Sequence, residues 1–172
     1  RGPAPAPFTP QRRCKEYYAY SFNNRWTRSG TTVNAETFDE AKWIDWTLEQ
    51  TRRIAVVGLS SREDRDSYRA SFYLHERGYE IVPVNPNYPS VMGLKCYPSL
   101  DQIPGTVDIV NLFQRPDRVP ASVDAAIILQ PKLIWMQLGV VHSEAAQRAR
   151  AAGIGVIMDR CIKIEHQTRF TT

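Results

Sequence analysis

The stretch Ile54-Ala55-Val56-Val57-Gly58-Leu59-Ser60-Ser61 decides the fold of this chain. Its first four residues are apolar and mostly β-branched, which is typical of a strand buried on both faces of a sheet. Gly58 then predicts a turn at which the backbone comes close to another group. A helical pattern begins at Ser67. Strand, glycine turn and helix N-terminus together favour a phosphate site, because free N–H groups and the helix dipole point the same way.

From Thr51 onward, apolar strand patterns alternate with helical ones. The predicted strands are 53–58, 79–84, 106–113, 132–137 and 154–158, with a turn-rich piece at 87–93. The predicted helices are 67–77, 97–103, 116–130, 143–152 and 161–169. Short strands separated by helices predict an α/β fold with a Rossmann-like, doubly wound parallel sheet of about five strands.

Residues 1–34 have the composition of an extended arm. Prolines recur through residues 1–10, and basic and aromatic side chains interleave over residues 12–28. Such a segment suits anchoring to a protein partner, which we favour over stacking on RNA. We therefore expect an arm at 1–34 and a domain at 35–172, whose first element is an amphipathic helix at 35–50.

The composition narrows the class of protein. The chain has 172 residues, 42% of them hydrophobic, and a net charge of +4, which favours anionic partners. No apolar run approaches the ~18 residues of a membrane span. Three scattered cysteines indicate a reducing compartment. The start at Arg1 suggests a processed organellar product, so we expect a mitochondrial location, with the cytoplasm as the alternative.

The carboxyl ends of four predicted strands are expected to meet at one edge of the sheet, where α/β folds bind ligands. Serine hydroxyls, arginines, an amide and aromatic rings would converge there. The side chains in question are Ser60, Ser61, Arg65 and Ser67, then Asn85, then the run 112–115, then the run 135–139. We find no matching set of general acid, base and nucleophile, so we expect no enzymatic activity.

An NAD site is disfavoured by two independent features. Such a site needs G-x-G-x-x-G at the first turn and an acidic residue at the end of the second strand. Counting from Gly58, the third residue is Ser60 and the sixth is Glu63, and the second strand ends in Asn85. An NAD-linked oxidoreductase is therefore the least favoured function.

For several residues of types that often act in catalysis or binding, we favour a structural role over a functional one. We expect Phe113 and Trp135 to pack in the core or at its rim, and Asp108 to be a polar group at a strand edge. Cys161 near a helix start is expected to be a structural thiol, with redox chemistry as the alternative. The three histidines, His75, His142 and His166, lack metal-ligand spacing and are expected on the surface.

A set of motifs carries a family resemblance over about residues 40–169. The motifs are 54–60, Ser67-Tyr68-Arg69, Gly78-Tyr79, 82–86, Gly93, 97–100, Val107-Asp108, Trp135-x-Gln137-x-Gly139 and 159–161. In this order they resemble the single-domain CoA-binding proteins, whose fold is that of the CoA-binding domain of the succinyl-CoA ligase alpha subunit. The ligase reaction needs a phosphorylated histidine on a following domain, so we do not expect ligase activity here.

The resemblance implies that CoA or an acyl-CoA, and no metal, binds across the strand ends. It implies phosphates near Gly58, Ser60, Ser67 and Lys95, with Tyr68 also contacting the cofactor. It further implies a nucleotide side lined by Asn85 and Pro86, and a groove bordered by Leu112, Phe113, Arg115, Trp135, Gln137 and Gly139. Two positions depart from the family pattern. Gln114 stands where Arg is usual, which removes a charge from the rim, and Ser61 stands where Pro is common.

Two compatible functions therefore follow from the sequence. The first is a non-catalytic CoA- or acyl-CoA-binding domain. The second is a structural subunit of a large assembly, such as a mitochondrial ribosome or a respiratory complex, with the arm threaded onto its neighbours. In the second, the nucleotide pocket is either retained or vestigial.

Overall fold

The computed structural model of this chain describes residues 40–170. The predicted arm at 1–34 and the first residues of the predicted helix at 35–50 lie outside this range, so those expectations stay predictions. Within the described range, no helix is long and apolar enough to span a membrane.

Within residues 40–170 there are five α-helices and seven strands, which follow the predicted alternation except that the helix predicted at 97–103 is only a short 3-10 turn. The helices are α1 (Glu40–Gln50), α2 (Asp66–His75), α3 (Val119–Leu129), α4 (Ser143–Ala151) and α5 (Ile162–Phe170). The strands are β1 (Arg53–Val57), β2 (Glu80–Val84), β3 (Ser90–Val91), β4 (Leu94–Lys95), β5 (Ile109–Leu112), β6 (Leu133–Met136) and β7 (Gly155–Ile157). Short 3-10 turns occupy Leu100–Gln102 and Pro116–Arg118.

The main sheet has five parallel strands in the order β2-β1-β5-β6-β7. The predicted Rossmann-like parallel sheet is therefore confirmed. From β1 the chain adds β2 on one side and then crosses back to place β5 on the other. Helices leaving neighbouring strands in opposite directions open a crevice at the carboxyl ends, so the gap between β1 and β5 is the expected ligand position.

A two-stranded hairpin, β3-β4, occupies the piece expected to be only a turn. Its loop residues Met92 and Gly93 have φ values of +58° and +73°. A two-residue hairpin turn with positive φ at both positions matches the twist of the flanking strands. Methionine is not a residue typical of that turn, which is why the sequence pattern did not reveal the hairpin.

The sheet is buried on both faces, and the alternating side chains of each strand divide between two cores. In β1, Ala55 and Val57 pack on the side of α3 and α4, while Ile54 and Val56 pack on the side of α1, α2 and α5. All four are almost completely buried. The continuous apolar run in the sequence thus reflects a strand covered on both sides, as expected.

Asp108 holds the amino ends of the central strands together. Its carboxylate accepts hydrogen bonds from the backbone N–H groups of Arg52 (2.9 Å) and Arg53 (3.0 Å) and forms a 2.8 Å ion pair with Lys132. Burial by itself raises the pKa of Asp108, but the hydrogen bonds and the ion pair together have the larger effect, so the pKa is lowered. The residue therefore acts at a strand edge, as predicted.

The expectation that His166 lies on the surface is wrong. Its ring is only 7% exposed, and its Nδ1 lies 3.1 Å from the hydroxyl of Tyr73. His166 follows the buried Ile162 by one helical turn, so both face the core from α5. His142 is structural in another way, since its Nδ1 accepts a hydrogen bond from the N–H of Ala145 at the start of α4.

Candidate functional site

The turn after β1 brings two strand ends into direct contact. Gly58 has a φ of +83°, and a Cβ atom added there would lie 2.3 Å from the carbonyl oxygen of Phe113. Gly58 N–H donates to the carbonyl of Val84, and Phe113 N–H donates to the carbonyl of Val57, both at 2.9 Å. No side chain fits in this contact, so the close backbone approach predicted for Gly58 is confirmed.

Asn85 fastens the end of β2 to the same turn. Its Nδ2 donates to the carbonyl of Leu59 at 3.0 Å, and its Oδ1 accepts from the N–H of Asn87 at 3.0 Å. The first bond joins the loop after β2 to the loop after β1, and the second fixes the turn of the loop after β2. Sequence reasoning placed Asn85 at the site, and the structure adds that it shapes the site through its loops.

Ser60 and Ser67 serve mainly to support the loop that follows β1. Ser60 N–H donates to Oγ of Ser67 at 3.1 Å, and Ser60 Oγ accepts from the N–H of Arg62 at 3.1 Å. Ser67 is buried in the first turn of α2. Ser67 thus holds the turn that follows Gly58, and the expectation that its hydroxyl also contacts a ligand stays a prediction.

A cavity of about 540 Å³ opens at the carboxyl ends of β1, β2 and β5. We call it the switch-point cavity. Its lining comprises Val57, Gly58, Val84, Asn85, Pro86, Asn87, Pro98, Ser99, Leu100, Asp101, Phe113, Gln114, Arg115, Arg118, Ala121, Ser122 and Ala125. The volume lies within the roughly 300–1,000 Å³ of typical small-molecule sites. Five residues predicted from the sequence line it: Gly58, Asn85, Pro86, Phe113 and Arg115.

One wall of the switch-point cavity comes from α3 and was missed by sequence reasoning. Ala121, Ser122 and Ala125 of α3, with Arg118 just before the helix, recur at helical spacing. The three small residues leave room between helix and sheet. Ser122 Oγ donates to Oε1 of Gln114 at 2.6 Å, so the residue in place of the usual arginine is held against this wall.

Three predicted groove residues are buried away from the cavity. Leu112 and Trp135 are fully buried, and the indole Nε1 of Trp135 donates to the carbonyl of Arg160 at 2.7 Å. Gln137 is also buried, and its Nε2 donates to Oδ1 of Asn111 at 2.8 Å. The prediction that these side chains border the groove is corrected, because all three are buried in the interior. The alternative favoured for Trp135, packing in the core, is the observed one.

The remaining predicted residues lie outside the cavity lining. Ser61 and Arg65 are exposed in the loop before α2, and Tyr68 stacks on Phe72 with ring centroids 6.2 Å apart. Lys95 is exposed on β4, with Nζ 4.9 Å from the centroid of the Tyr97 ring. Gly139 N–H donates to Oδ1 of Asp159 at 2.8 Å in the loop after β6.

The charge around the first loop is largely balanced. The guanidinium of Arg62 pairs with the carboxylate of Asp64 at 3.1 and 2.7 Å, and both side chains are exposed. That pair lowers the pKa of Asp64 and raises that of Arg62. Within residues 40–170, no three His, Cys, Asp or Glu side chains cluster in a way that could hold a metal ion.

The comparison with protein families decides what this architecture is. The model of the CoA binding domain matches residues 52–167, about two thirds of the chain. This chain belongs to the CoA binding domain family. The resemblance that its motifs indicated is thereby confirmed, and the switch-point cavity lies inside the matched region.

Relatives of this CoA binding domain include both small proteins and one region of much larger ligases. The uncharacterized protein YneT of Bacillus subtilis is 43% identical over 119 residues, which cover 69% of this chain and 88% of that protein. A solved hypothetical protein from Pyrococcus horikoshii OT3 has a TM-score of 0.73 and 34% identity, covering 84% of this chain and 96% of its own. The ADP-forming acetate–CoA ligase II of Archaeoglobus fulgidus is 35% identical over 92 residues, which cover 49% of this chain but only 13% of that enzyme.

Proposed function

We propose that this CoA binding domain binds CoA or an acyl-CoA in the switch-point cavity and does not transform it. The observation that carries the proposal is the cavity itself, which opens where β1 and β5 diverge and is lined by the bare backbone of Gly58. Parallel α/β sheets bind nucleotides at this position. Membership of the family supports CoA as the ligand.

The chemistry of the lining supports a phosphorylated ligand with an apolar part. Arg115 and Arg118 supply positive charge, while Ser99 and Ser122 supply hydroxyl groups. Val57, Leu100, Phe113, Ala121 and Ala125 supply apolar surface. Guanidinium groups pair well with phosphate oxygens, and apolar walls suit the flat face of a base.

The same lining supports binding without chemistry. In the described part of the chain, the only carboxylate that lines the cavity is Asp101, and none of the lining residues is a histidine, cysteine or lysine. General acid–base or nucleophilic catalysis needs a carboxylate or hydroxyl beside a positioned partner, and the hydroxyl of Ser122 is bonded to the amide of Gln114, which is not a base. Incubation with acetyl-CoA should therefore release no free CoA thiol, and release at a rate proportional to protein would overturn this part of the proposal.

CoA added to the full-length protein is expected to raise its thermal stability. At a concentration of ~100 Kd the ligand should add about 2.7 kcal/mol to the free energy of unfolding. NAD at the same concentration should add nothing, because Asn85, and not a carboxylate, follows the last residue of β2. Calorimetric titration and thermal unfolding would measure both effects, and the absence of any shift at millimolar CoA would contradict the proposal.

Charge reversal at the cavity wall sharpens this test. Arg118→Glu should weaken CoA binding by tenfold or more, since a hydrogen bond from a charged group contributes about 1.5–3 kcal/mol. The matched control is Arg148→Glu, which makes the same charge change on α4 outside the cavity lining. Equal CoA affinities for the two variants would place the ligand elsewhere.

We also propose that residues 1–34 anchor the domain to a larger assembly, with a mitochondrial one as the setting. The interleaved basic and aromatic residues of this segment support a protein interface, with RNA as the alternative partner. The sequence is the sole support for this proposal.

Deletion of residues 1–34 is expected to release the protein from large complexes in a native extract while leaving CoA affinity unchanged, because the deleted segment lies outside the family match at 52–167. Sucrose-gradient sedimentation of the full-length and shortened proteins would measure this. Prior treatment with ribonuclease separates an RNA partner from a protein partner. Full co-sedimentation of the shortened protein would show that the arm is not the anchor.

A further inference from the structure

A second cavity, of about 460 Å³, lies away from the switch-point cavity. Its lining comprises Arg52, Arg77, Gly78, Tyr79, His166 and Phe170. Arg52 immediately precedes β1 and Tyr79 immediately precedes β2, so this cavity opens at the amino ends of the strands. The two cavities are therefore at opposite edges of the sheet. We call the second one the basic cavity.

The two arginines of the basic cavity are held in place without being neutralised. Arg52 Nη1 donates to the carbonyls of Glu49 (3.0 Å) and Thr51 (2.7 Å). Arg77 Nη1 donates to the carbonyl of Tyr73 (3.2 Å), and its guanidinium lies 3.5 Å from the centroid of that ring. Within residues 40–170, neither guanidinium forms an ion pair with a carboxylate. Each therefore keeps N–H donors and a positive charge for a ligand.

The rest of the basic cavity is aromatic. The ring of His166 meets those of Tyr79 and Tyr73 edge-on, with centroids 5.5 Å apart in each case, and that of Phe170 at 4.8 Å. Phe170 is nevertheless 38% exposed, so an apolar ring faces solvent at the mouth. Burial and then the charge of Arg77 lower the pKa of His166.

We propose that the basic cavity is a second binding site, which takes a small organic anion with an aromatic ring. The guanidinium groups of Arg52 and Arg77 hold the anionic head, because their planar forks match carboxylate and phosphate oxygens. The aromatic lining of Tyr79, His166 and Phe170 receives the ring of the ligand.

The experiment uses the ¹⁵N-labelled full-length protein and four probes. Benzoate and phenyl phosphate present the two possible anionic heads on a ring, inorganic phosphate lacks the ring, and benzyl alcohol lacks the charge. The backbone amides of Gly78 and Tyr79 report on the basic cavity by NMR, and those of Asn87 and Arg115 report on the switch-point cavity.

Saturable shifts of Gly78 and Tyr79 with benzoate or phenyl phosphate, and much weaker ones with inorganic phosphate and benzyl alcohol, are the expected result. Arg52→Gln and Arg77→Gln should each weaken that binding about tenfold, in line with the loss of one charge-assisted hydrogen bond. Arg148→Gln on α4 is the matched control and should bind normally. Both cavity variants should keep the amide shifts of Asn87 and Arg115 seen in the unmodified protein, which shows that they are folded.

Three outcomes would overturn the proposal. The first is the absence of a saturable shift at Gly78 and Tyr79 with either ringed anion. The second is binding of inorganic phosphate as tight as that of phenyl phosphate, which would remove the role of the ring. The third is binding by the cavity variants as tight as that by Arg148→Gln, which would place the anion outside the basic cavity. The result is independent of CoA binding, because the reporters of the two cavities are separate.

Discussion

Replacing Gly58 with alanine is expected to destabilise the domain and to weaken CoA binding. The residue has a φ of +83°, which an alanine adopts at a cost of ~1–2 kcal/mol. Its Cβ would also lie 2.3 Å from the backbone carbonyl oxygen of Phe113, so the end of β1 must move away from β5. With overpacking of ~1–3 kcal/mol added, the total loss is about 2–5 kcal/mol. Urea unfolding and CoA titration would measure the two effects.

Gly153→Ala is the matched control for this experiment. Gly153 has a nearly identical φ of +84°, but nothing lies within 4 Å of the position of its Cβ. This variant therefore carries the conformational cost alone, and the difference between the two variants isolates the contact with Phe113. Only Gly58→Ala should change CoA affinity. Equal losses of stability and unchanged CoA binding would show that the contact between the strand ends has no energetic or functional weight.

Replacing Trp135 with alanine is expected to cost about 3–5 kcal/mol of stability, the range for large aromatic side chains in a core. The side chain is fully buried in β6, where its indole N–H donates to the carbonyl of Arg160. A loss of this size removes a large fraction of the 5–15 kcal/mol that stabilises a typical domain. The free energy of unfolding in urea would measure it.

Trp135→Phe separates packing from ligand contact. Phenylalanine keeps most of the apolar volume and removes the hydrogen bond to Arg160, whose net value is about 1 kcal/mol. CoA affinity should stay unchanged, because the indole is buried and does not line the switch-point cavity. A clear loss of CoA affinity in this stable variant would show that Trp135 borders the CoA groove, as the sequence alone suggested.

The fold was predictable because its signals are local. The run Ile54–Val57 is apolar at every position, which requires cover on both faces of the strand, and the helices between strands require parallel pairing. Gly58 could be identified as a close-contact position from the same stretch. The β3-β4 hairpin was not predictable, because its turn uses Met92 at a positive φ that the sequence pattern does not favour.

The site was predictable only in part. Residues just beyond a strand, such as Asn85 and Phe113, line the switch-point cavity as expected. Leu112 and Trp135 lie inside their strands, and their side chains alternate into the two cores. The contribution of Arg118 and Ser122 depends on how α3 packs against the sheet, which strand patterns do not describe.

The sequence by itself determined the order of strands and helices, the glycine turn after β1 and the absence of an NAD fingerprint, because these depend on residues close together in the chain. Only the tertiary structure decided which side chains reach a cavity, and that His166 is buried beside Tyr73. Only it brought Arg52, Arg77 and Phe170 together in the basic cavity. Such contacts join residues far apart in the chain, and their geometry is set by the packing of whole elements across the sheet.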